Sequence, residues 1–315
     1  MLRFSVTGTL NLTWTEVSEA AALAEALGFE AIYTSDHLHA VAGFASDVGA
    51  LDALSITLAL APLTSTIRLG CLVSPITVRH PVVLARALQT LDLVSGGRAE
   101  VGIGAGWEAG EHRAFGLPFP PTAERLGMLE DACRVMTALW ESDRPVSLDG
   151  WYPLRDAQLT PRPVQSRVPL LVAAASDRGI AIAARWATAW NGIGSPRYLA
   201  DRIGLLRREE AAAGRPAGSV ETTSMLQVFL SSDPEAVAAR KAAVSAQQPR
   251  AGAQARSHLP GEDPLSALYA GPPEGLAEHL HAYEEAGLQR AGLVMPRPWD
   301  PGTLRRLAAA AGVGG

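Results

Sequence analysis

The run Ser35-Asp36-His37-Leu38-His39 holds the residues best suited to moving a proton. An imidazole changes charge near neutral pH, and a neighbouring carboxylate can orient a loop or a ligand. The plain alternative is a polar loop that caps the next helix. His37-x-His39 also has the spacing of two metal ligands at one strand end. Such a site needs further His or Asp from other strand ends. His80 is the one nearby offer, because His279-x-His281 falls in a helical stretch. No metal is therefore expected.

A second group is Gly102-Ile103-Gly104-Ala105-Gly106-Trp107-Glu108. It falls short of the dinucleotide fingerprint: the third glycine is displaced, and no acidic residue ends a following strand at the right distance. Glycines here let a flat, bulky ligand approach the backbone, and Trp107 can stack on it. Glu111 and His112 follow, as polar pocket groups or as an ordinary solvated helix start. In Ala173-Ala174-Ala175-Ser176-Asp177, small residues opening a helix leave N–H groups free for a phosphate. Ser176 as a simple N-cap is the alternative. The apolar, proline-containing run 72–81 makes a wall rather than an acid or base.

Absences narrow the chemistry. Lys241 is the only lysine and lies in a stretch that reads as an exposed helix. That excludes a Walker A loop and a Schiff-base lysine. The two cysteines, Cys71 and Cys133, lack CxxC spacing, which excludes a disulfide scaffold and a thiolate zinc cage and suits a reducing cytosol. A net charge of −5 advertises no nucleic-acid partner. The first residues alternate at once and carry no signal-peptide pattern. The longest charge-free apolar stretch, 53–67, is short for a bilayer and broken by Pro62. A cytoplasmic protein with no membrane partner is expected.

These groups need elements to hold them. Short apolar runs at 2–7, 31–34, 67–73, 99–103, 169–173, 189–191, 220–229 and 291–295 predict strands. Helical periodicity covers 15–27, 50–60, 81–94, 122–140, 177–187, 196–213, 234–246, 274–286 and 301–311. Thr122-x-x-Arg125 after Pro121 suggests an imperfect capping box, and Asp233 caps the helix that follows it. The alternation predicts an α/β protein: a (β/α)8 TIM barrel, one domain over 1–315, with insertions near 143–165 and 247–272. An open doubly wound sheet is the competing fold. Residues 247–264, rich in Gly, Pro and Ser, read as a mobile loop. In a barrel, chemistry gathers at the C-terminal ends of the strands.

Residues 64–119 resemble the luciferase-like monooxygenase superfamily through RHP, LDxxSGGR and GxGAGW at their spacings. The resemblance continues through Arg125, Glu130, Leu139-Trp140, Ala184-x-x-Ala187 and Asn191-Gly192. It implies a (β/α)8 barrel that binds a flavin or deazaflavin at the strand ends. Ser35-Asp36-His37 is similar to the branch using coenzyme F420, whereas the flavin branch more often carries a Glu-His-His motif. By resemblance, His37 lies beside the deazaflavin C5 in a proton-transfer or electrostatic role. A non-proline cis peptide is implied near Leu72–Val73. Asp36, Leu72, Val73, Thr77, Gly104 and Gly106 would contact the cofactor, with its phosphate at Ala175 and Ser176. Trp107, Glu111, Arg197, Arg297 and Trp299 would shape the substrate pocket.

There are departures. Sugar-phosphate dehydrogenases of the family carry a glutamate where Trp107 stands, and bind substrate phosphate with lysines absent here. Arg197 could replace one, yet a sugar phosphate is not expected. Ala175-Ser176 also replaces a common Gly-Gly. The implied function is an F420-dependent oxidoreductase transferring a hydride between C5 and a small organic substrate. Reduction of C=C or C=N is favoured over alcohol oxidation. An FMN-dependent monooxygenase using O2 is the alternative, and a non-catalytic cofactor-binding barrel is a further one. Many relatives are homodimers, and a homodimer is expected here. The apolar faces 50–60 and 81–93 would serve it or merely cover the barrel.

Overall fold

Strand and helix alternate along almost the whole chain of this computed structural model, which describes residues 1–10, 12–39, 49–246, 265, 267–295 and 298–314. The elements begin β1 (Arg3–Thr7), α1 (Trp14–Leu27), β2 (Ala31–Thr34), α2 (Ala53–Leu60), β3 (Arg68–Pro75), α3 (Pro81–Ser95) and β4 (Ala99–Gly104). They continue α4 (Ala109–Ala114), α5 (Thr122–Glu141), β5 (Val146–Leu148), β6 (Leu154–Ala157), β7 (Leu170–Ala173), α6 (Asp177–Trp186), β8 (Ala189–Gly192) and α7 (Pro196–Ala212). The last are β9 (Glu221–Leu230), α8 (Pro234–Ser245), β10 (Leu268–Gly271), α9 (Leu276–Glu285), β11 (Arg290–Val294) and α10 (Pro301–Ala311).

The sheet closes on itself. Parallel neighbours run β1-β2-β3-β4-β7-β8-β9-β11 and back to β1. Phe4 pairs with Ala291 and Asn191 with Thr223, which leaves no open edge and rules out the doubly wound sheet. This is the expected (β/α)8 barrel. One addition was not read from sequence: β10 pairs with residues 227–230 of β9, beyond the part of β9 that pairs with β11. The insertion near 143–165 contains the antiparallel hairpin β5–β6. Its Tyr152 donates from N–H to Asp131 at 2.8 Å and from its hydroxyl to Ile76 at 3.4 Å, so the hairpin reaches the exit of β3. Residues 247–264 lie outside the described residues.

Local chemistry explains most element ends. Thr13 and Glu16 form a capping box on α1, and Gly28 ends that helix in the left-handed conformation. Asp52 caps α2, so the Ser35-Asp36 loop has other work. The capping box expected at Thr122 is absent. Pro121 stands at the cap with no side-chain bond. The box needs an acceptor three residues in, and arginine only donates.

Alternation along the strands divides the packing. Outward Val6, Ile32, Leu69, Val101, Val172 and Trp190 join the helices in the larger core. Inward Ala31, Tyr33, Leu72, Leu171 and Ala189 fill the barrel, with Val73, Ala173 and Met225 against them. A Cβ on Gly70 would lie 1.8 Å from the Glu100 carbonyl oxygen, so only glycine lets β3 lie this close to β4. Among the described residues no helix is long and apolar enough to cross a membrane.

Candidate active site

The C-terminal strand ends bring His37, Trp107 and Glu111 together. Asp36, just beyond β2, is buried, and it accepts two bonds from Arg79 at 2.6 and 2.8 Å and one from the Ser74 hydroxyl at 2.7 Å. Arg79 also binds Asp52, the cap of α2, at 2.6 Å. Asp36 therefore ties the exits of β2 and β3 to the start of α2, and this fixes where His37 emerges.

His37 Nδ1 lies 3.1 Å from Glu111 Oε2, and the other oxygen of Glu111 accepts the N–H of Leu38. Glu111 is 1% exposed and His37 is 16% exposed. Of the two readings of Glu111 and His112, the solvated helix start does not hold, because both are buried. Burial alone would raise the Glu111 carboxyl, but bonds from His37 and Leu38 outweigh it and hold it below its ordinary range. Trp107 meets the His37 ring edge-on, with centroids 5.6 Å apart and planes at 78°. His39 turns to Phe115 instead, at 5.9 Å, so the two imidazoles do not converge on one point. Among the described residues no cluster of His, Cys, Asp and Glu suits a metal ion.

A second imidazole sets the wall beside this group. His112 Nδ1 lies 2.8 Å from the Glu108 carbonyl, and Nε2 lies 2.8 Å from Thr77 Oγ1. A carbonyl only accepts, so Nδ1 carries the hydrogen. In the neutral ring Thr77 then donates to Nε2, and its oxygen lone pairs stay free. The glycines of β4 make room first for the chain itself. A Cβ on Gly102 or Gly104 would lie 2.8 or 3.1 Å from Val73, and one on Gly106 would lie 2.5 Å from the Thr77 hydroxyl. The peptide between Leu72 and Val73 is cis.

The remaining expected residues do not form one group. Ser176 caps α6 by accepting from Gly179 N–H at 3.2 Å, which uses one lone pair and leaves its O–H to donate. The first-turn N–H groups beside Ala175 have no intrahelical carbonyl and suit an anion. Arg197 is exposed on the first turn of α7. Trp299 packs on the helix shell, and its indole donates to Glu19 of α1 at 3.4 Å. Arg297 lies outside the described residues.

Two arginines that carry the family resemblance were given no role by the sequence. Arg79 holds Asp36. Arg125, 4% exposed, donates to the Ala105 carbonyl at 3.2 Å and lies 3.9 Å over the Phe119 ring. It pins the Ala105-Gly106-Trp107 turn. A lone arginine among the apolar positions of a helix was the available signal.

Residues 2–290 match the family model of luciferase-like monooxygenases. The chain belongs to this family. It is 33% identical over 223 residues to an F420-dependent glucose-6-phosphate dehydrogenase of Kineococcus radiotolerans, a match spanning 70% of this chain and 65% of that protein. A protein of the same description from Beutenbergia cavernae is 29% identical over 305 residues, covering 91% of this chain and 89% of its own. Among solved structures, an F420-dependent secondary alcohol dehydrogenase with an F420–acetone adduct superposes at TM-score 0.81 and 21% identity, over 93% of each chain. The F420-dependent tetrahydromethanopterin reductase of Methanopyrus kandleri does so at 0.79 and 19%, over 98% of this chain and 97% of its own. At such identities the superpositions speak for the (β/α)8 fold alone.

Proposed function

We propose that this protein is an F420-dependent oxidoreductase exchanging a hydride between the deazaflavin C5 and a carbon of a small organic substrate. The observation that carries the reading is His37: one ring nitrogen is anchored on a buried carboxylate, and Nε2 has no partner among the described residues and is not buried. F420-dependent relatives support the cofactor.

The residues present suit such a group. Leu72, Val73, Gly104 and Gly106 offer a low apolar and backbone surface for a flat ring. Thr77 offers lone pairs to a ring N–H, and the first turn of α6 offers N–H donors to a phosphate. Bound F420 would supply two-electron hydride chemistry at C5. The protein's part is to handle the accompanying proton. His37 Nε2 takes it from a substrate O–H or N–H during oxidation, or returns it during reduction. Trp107 limits the rotation of that ring and walls the substrate space. Arg79 and Asp36 hold the loop that carries His37. The substrate class is a C=C, C=N or carbonyl/alcohol compound without a phosphate anchor, since Lys241, the chain's one lysine, lies on α8.

Titration with F420 and with FMN, followed by fluorescence, tests the reading. Tight F420 binding with no flavin-dependent O2 consumption is expected. FMN binding with O2 consumption would overturn it in favour of a monooxygenase. A homodimer through α3, whose Val83 and Val94 are exposed at 66% and 58%, is part of the proposal. Light scattering at micromolar concentration checks it.

A further inference from the structure

We infer that Glu111 is a positioning residue that locks His37 in the Nδ1–H tautomer and so keeps Nε2 as a proton acceptor facing the barrel mouth. The consequence for catalysis rests on the hydride-transfer reading; the tautomer does not. Both oxygens of Glu111 are engaged as acceptors, one 3.1 Å from His37 Nδ1 and one by the Leu38 N–H. The carboxylate is buried, while His37 Nε2 is neither buried nor bonded among the described residues. An ionised carboxylate has no hydrogen to give, so the hydrogen between it and Nδ1 belongs to the imidazole. A neutral histidine in water favours the opposite, Nε2–H form. The protein therefore reverses the resting preference of the ring. Leu38 is the next residue after His37, so one carboxylate fixes both the loop backbone and the ring it carries. Trp107, edge-on to the ring, opposes the flip that would exchange the two nitrogens.

The reversal has a chemical result. With Nδ1–H committed to Glu111, a substrate O–H proton can pass to Nε2 as the carbon gives up its hydride to the cofactor. The charge that forms on the ring then sits against a buried anion. In the other direction the same proton returns to substrate oxygen or nitrogen as the carbon gains the hydride. Atoms and charge balance in both directions, and no other residue has to carry the proton.

An amide replacing the carboxylate makes the test sharp. In Glu111→Gln the single amide oxygen goes to Leu38 N–H, because that group only donates and cannot meet the amide NH2, whereas Nδ1 can accept. With oxygen on Leu38, the NH2 faces Nδ1 and demands an unprotonated nitrogen there. Long-range proton–nitrogen NMR on full-length, cofactor-free protein with ¹⁵N-labelled histidine reads the tautomer directly, above the pH at which the ring becomes neutral. The His37→Gln variant identifies the His37 signals. The expected wild-type spectrum has a protonated Nδ1 and an unprotonated Nε2, and Glu111→Gln shifts the ring towards Nε2–H. With F420, the same variant should lose about 10²–10⁴-fold in kcat, the span of general acid–base assistance, while its Kd for F420 stays within about twofold. A wild-type ring protonated at Nε2 overturns the inference, and that spectrum decides even if Glu111→Gln fails to fold. An unchanged tautomer in a folded Glu111→Gln overturns it too. Failure to bind F420 would instead fall on the hydride-transfer reading and leave the tautomer standing.

Discussion

The two ends of the barrel bury charge for opposite purposes. At the N-terminal floor, Glu100 of β4 accepts from the Tyr33 hydroxyl, from Arg68 and from two nitrogens of Arg290. Arg290 also meets Glu221 at 3.0 Å, and Arg3 bridges Glu221 to Glu30. Glu100 and Arg290 are each 3% exposed. Burial would raise the Glu100 carboxyl, but Arg290 and Tyr33 pull it below the usual carboxylate range. At the mouth, Glu111 is as deeply buried, yet its partner His37 keeps one nitrogen open. The floor spends its charges on one another. Each end leaves a polar atom unspent among the described residues, but Arg290 Nε at the floor is buried while His37 Nε2 at the mouth is not, and reactivity requires an atom that can be reached.

Breaking the floor should give the largest loss of stability. Arg290→Leu leaves Glu100 buried with two weaker partners, and removing one half of a buried pair costs about 3–5 kcal/mol. Urea unfolding measures it, and adding Glu100→Gln should recover part. Breaking the mouth should act on rate instead. His37→Ala should lower turnover with F420 by about 10²–10⁴-fold. Its cost in stability, from a buried Glu111 losing a donor, should be smaller, about 1–3 kcal/mol. If urea unfolding ranked His37→Ala below Arg290→Leu in stability, the division of labour between the ends would be lost.

How far the sequence discloses these two ends differs for a physical reason. The eight barrel strands were legible because β-branched and small residues cluster in short runs, and parallel strands buried on both faces need them. At the mouth, residue types announce chemistry: a histidine after a strand, glycines after another, small residues before a helix. What those residues do to each other was not legible. Glu111 was named for the pocket, but its burial and its bond to His37 were not legible, because they depend on α4, whose six residues are too short for a periodicity signal. Asp36 sits beside His37 in sequence, but Arg79, its partner, arrives from the loop after β3. The floor went unread. Arg68 and Arg290 open their strands and Glu100 is the second residue of its own, and their convergence is a product of barrel closure, which no local pattern records. The hairpin β5–β6 and strand β10 were missed because three or four residues carry little alternation.

A smaller change sharpens the contrast at the mouth. Gly106 has φ of +76°, and a Cβ there would lie 2.5 Å from the Thr77 hydroxyl. Gly106→Ala should cost about 1–3 kcal/mol, the scale of a non-glycine residue held in left-handed backbone. It should also push Thr77 off His112 and weaken F420 binding, read by fluorescence titration. The equivalent change at the exposed Gly116, where a Cβ meets nothing within 4 Å, should leave binding alone while paying the same backbone cost.

The smallest effect belongs to acid and to the floor. Glu25 of α1 accepts N–H groups of Ser65, Thr66 and Ile67 at 2.8, 2.6 and 2.9 Å, and so holds the loop entering β3. Burial works to raise its carboxyl, but those three bonds win and bring it from 4.5 down to about 2. A folded pKa below the unfolded one means that the stabilisation is complete above about pH 4.5 and disappears as pH falls towards 2. Glu25→Gln should therefore flatten the loss of stability across that window and change little near neutrality, as urea midpoints at several pH values would reveal. Glu111 is displaced in the same direction, so some slope should survive in Glu25→Gln. Unlike the Glu25 share, the Glu111 part of that remaining slope depends largely on a side chain, His37. It should shrink when His37→Ala is added, whereas His37→Ala alone should leave the Glu25 share in place. Acid titration of these three variants thus separates a carboxylate held by backbone from one held by the imidazole it positions.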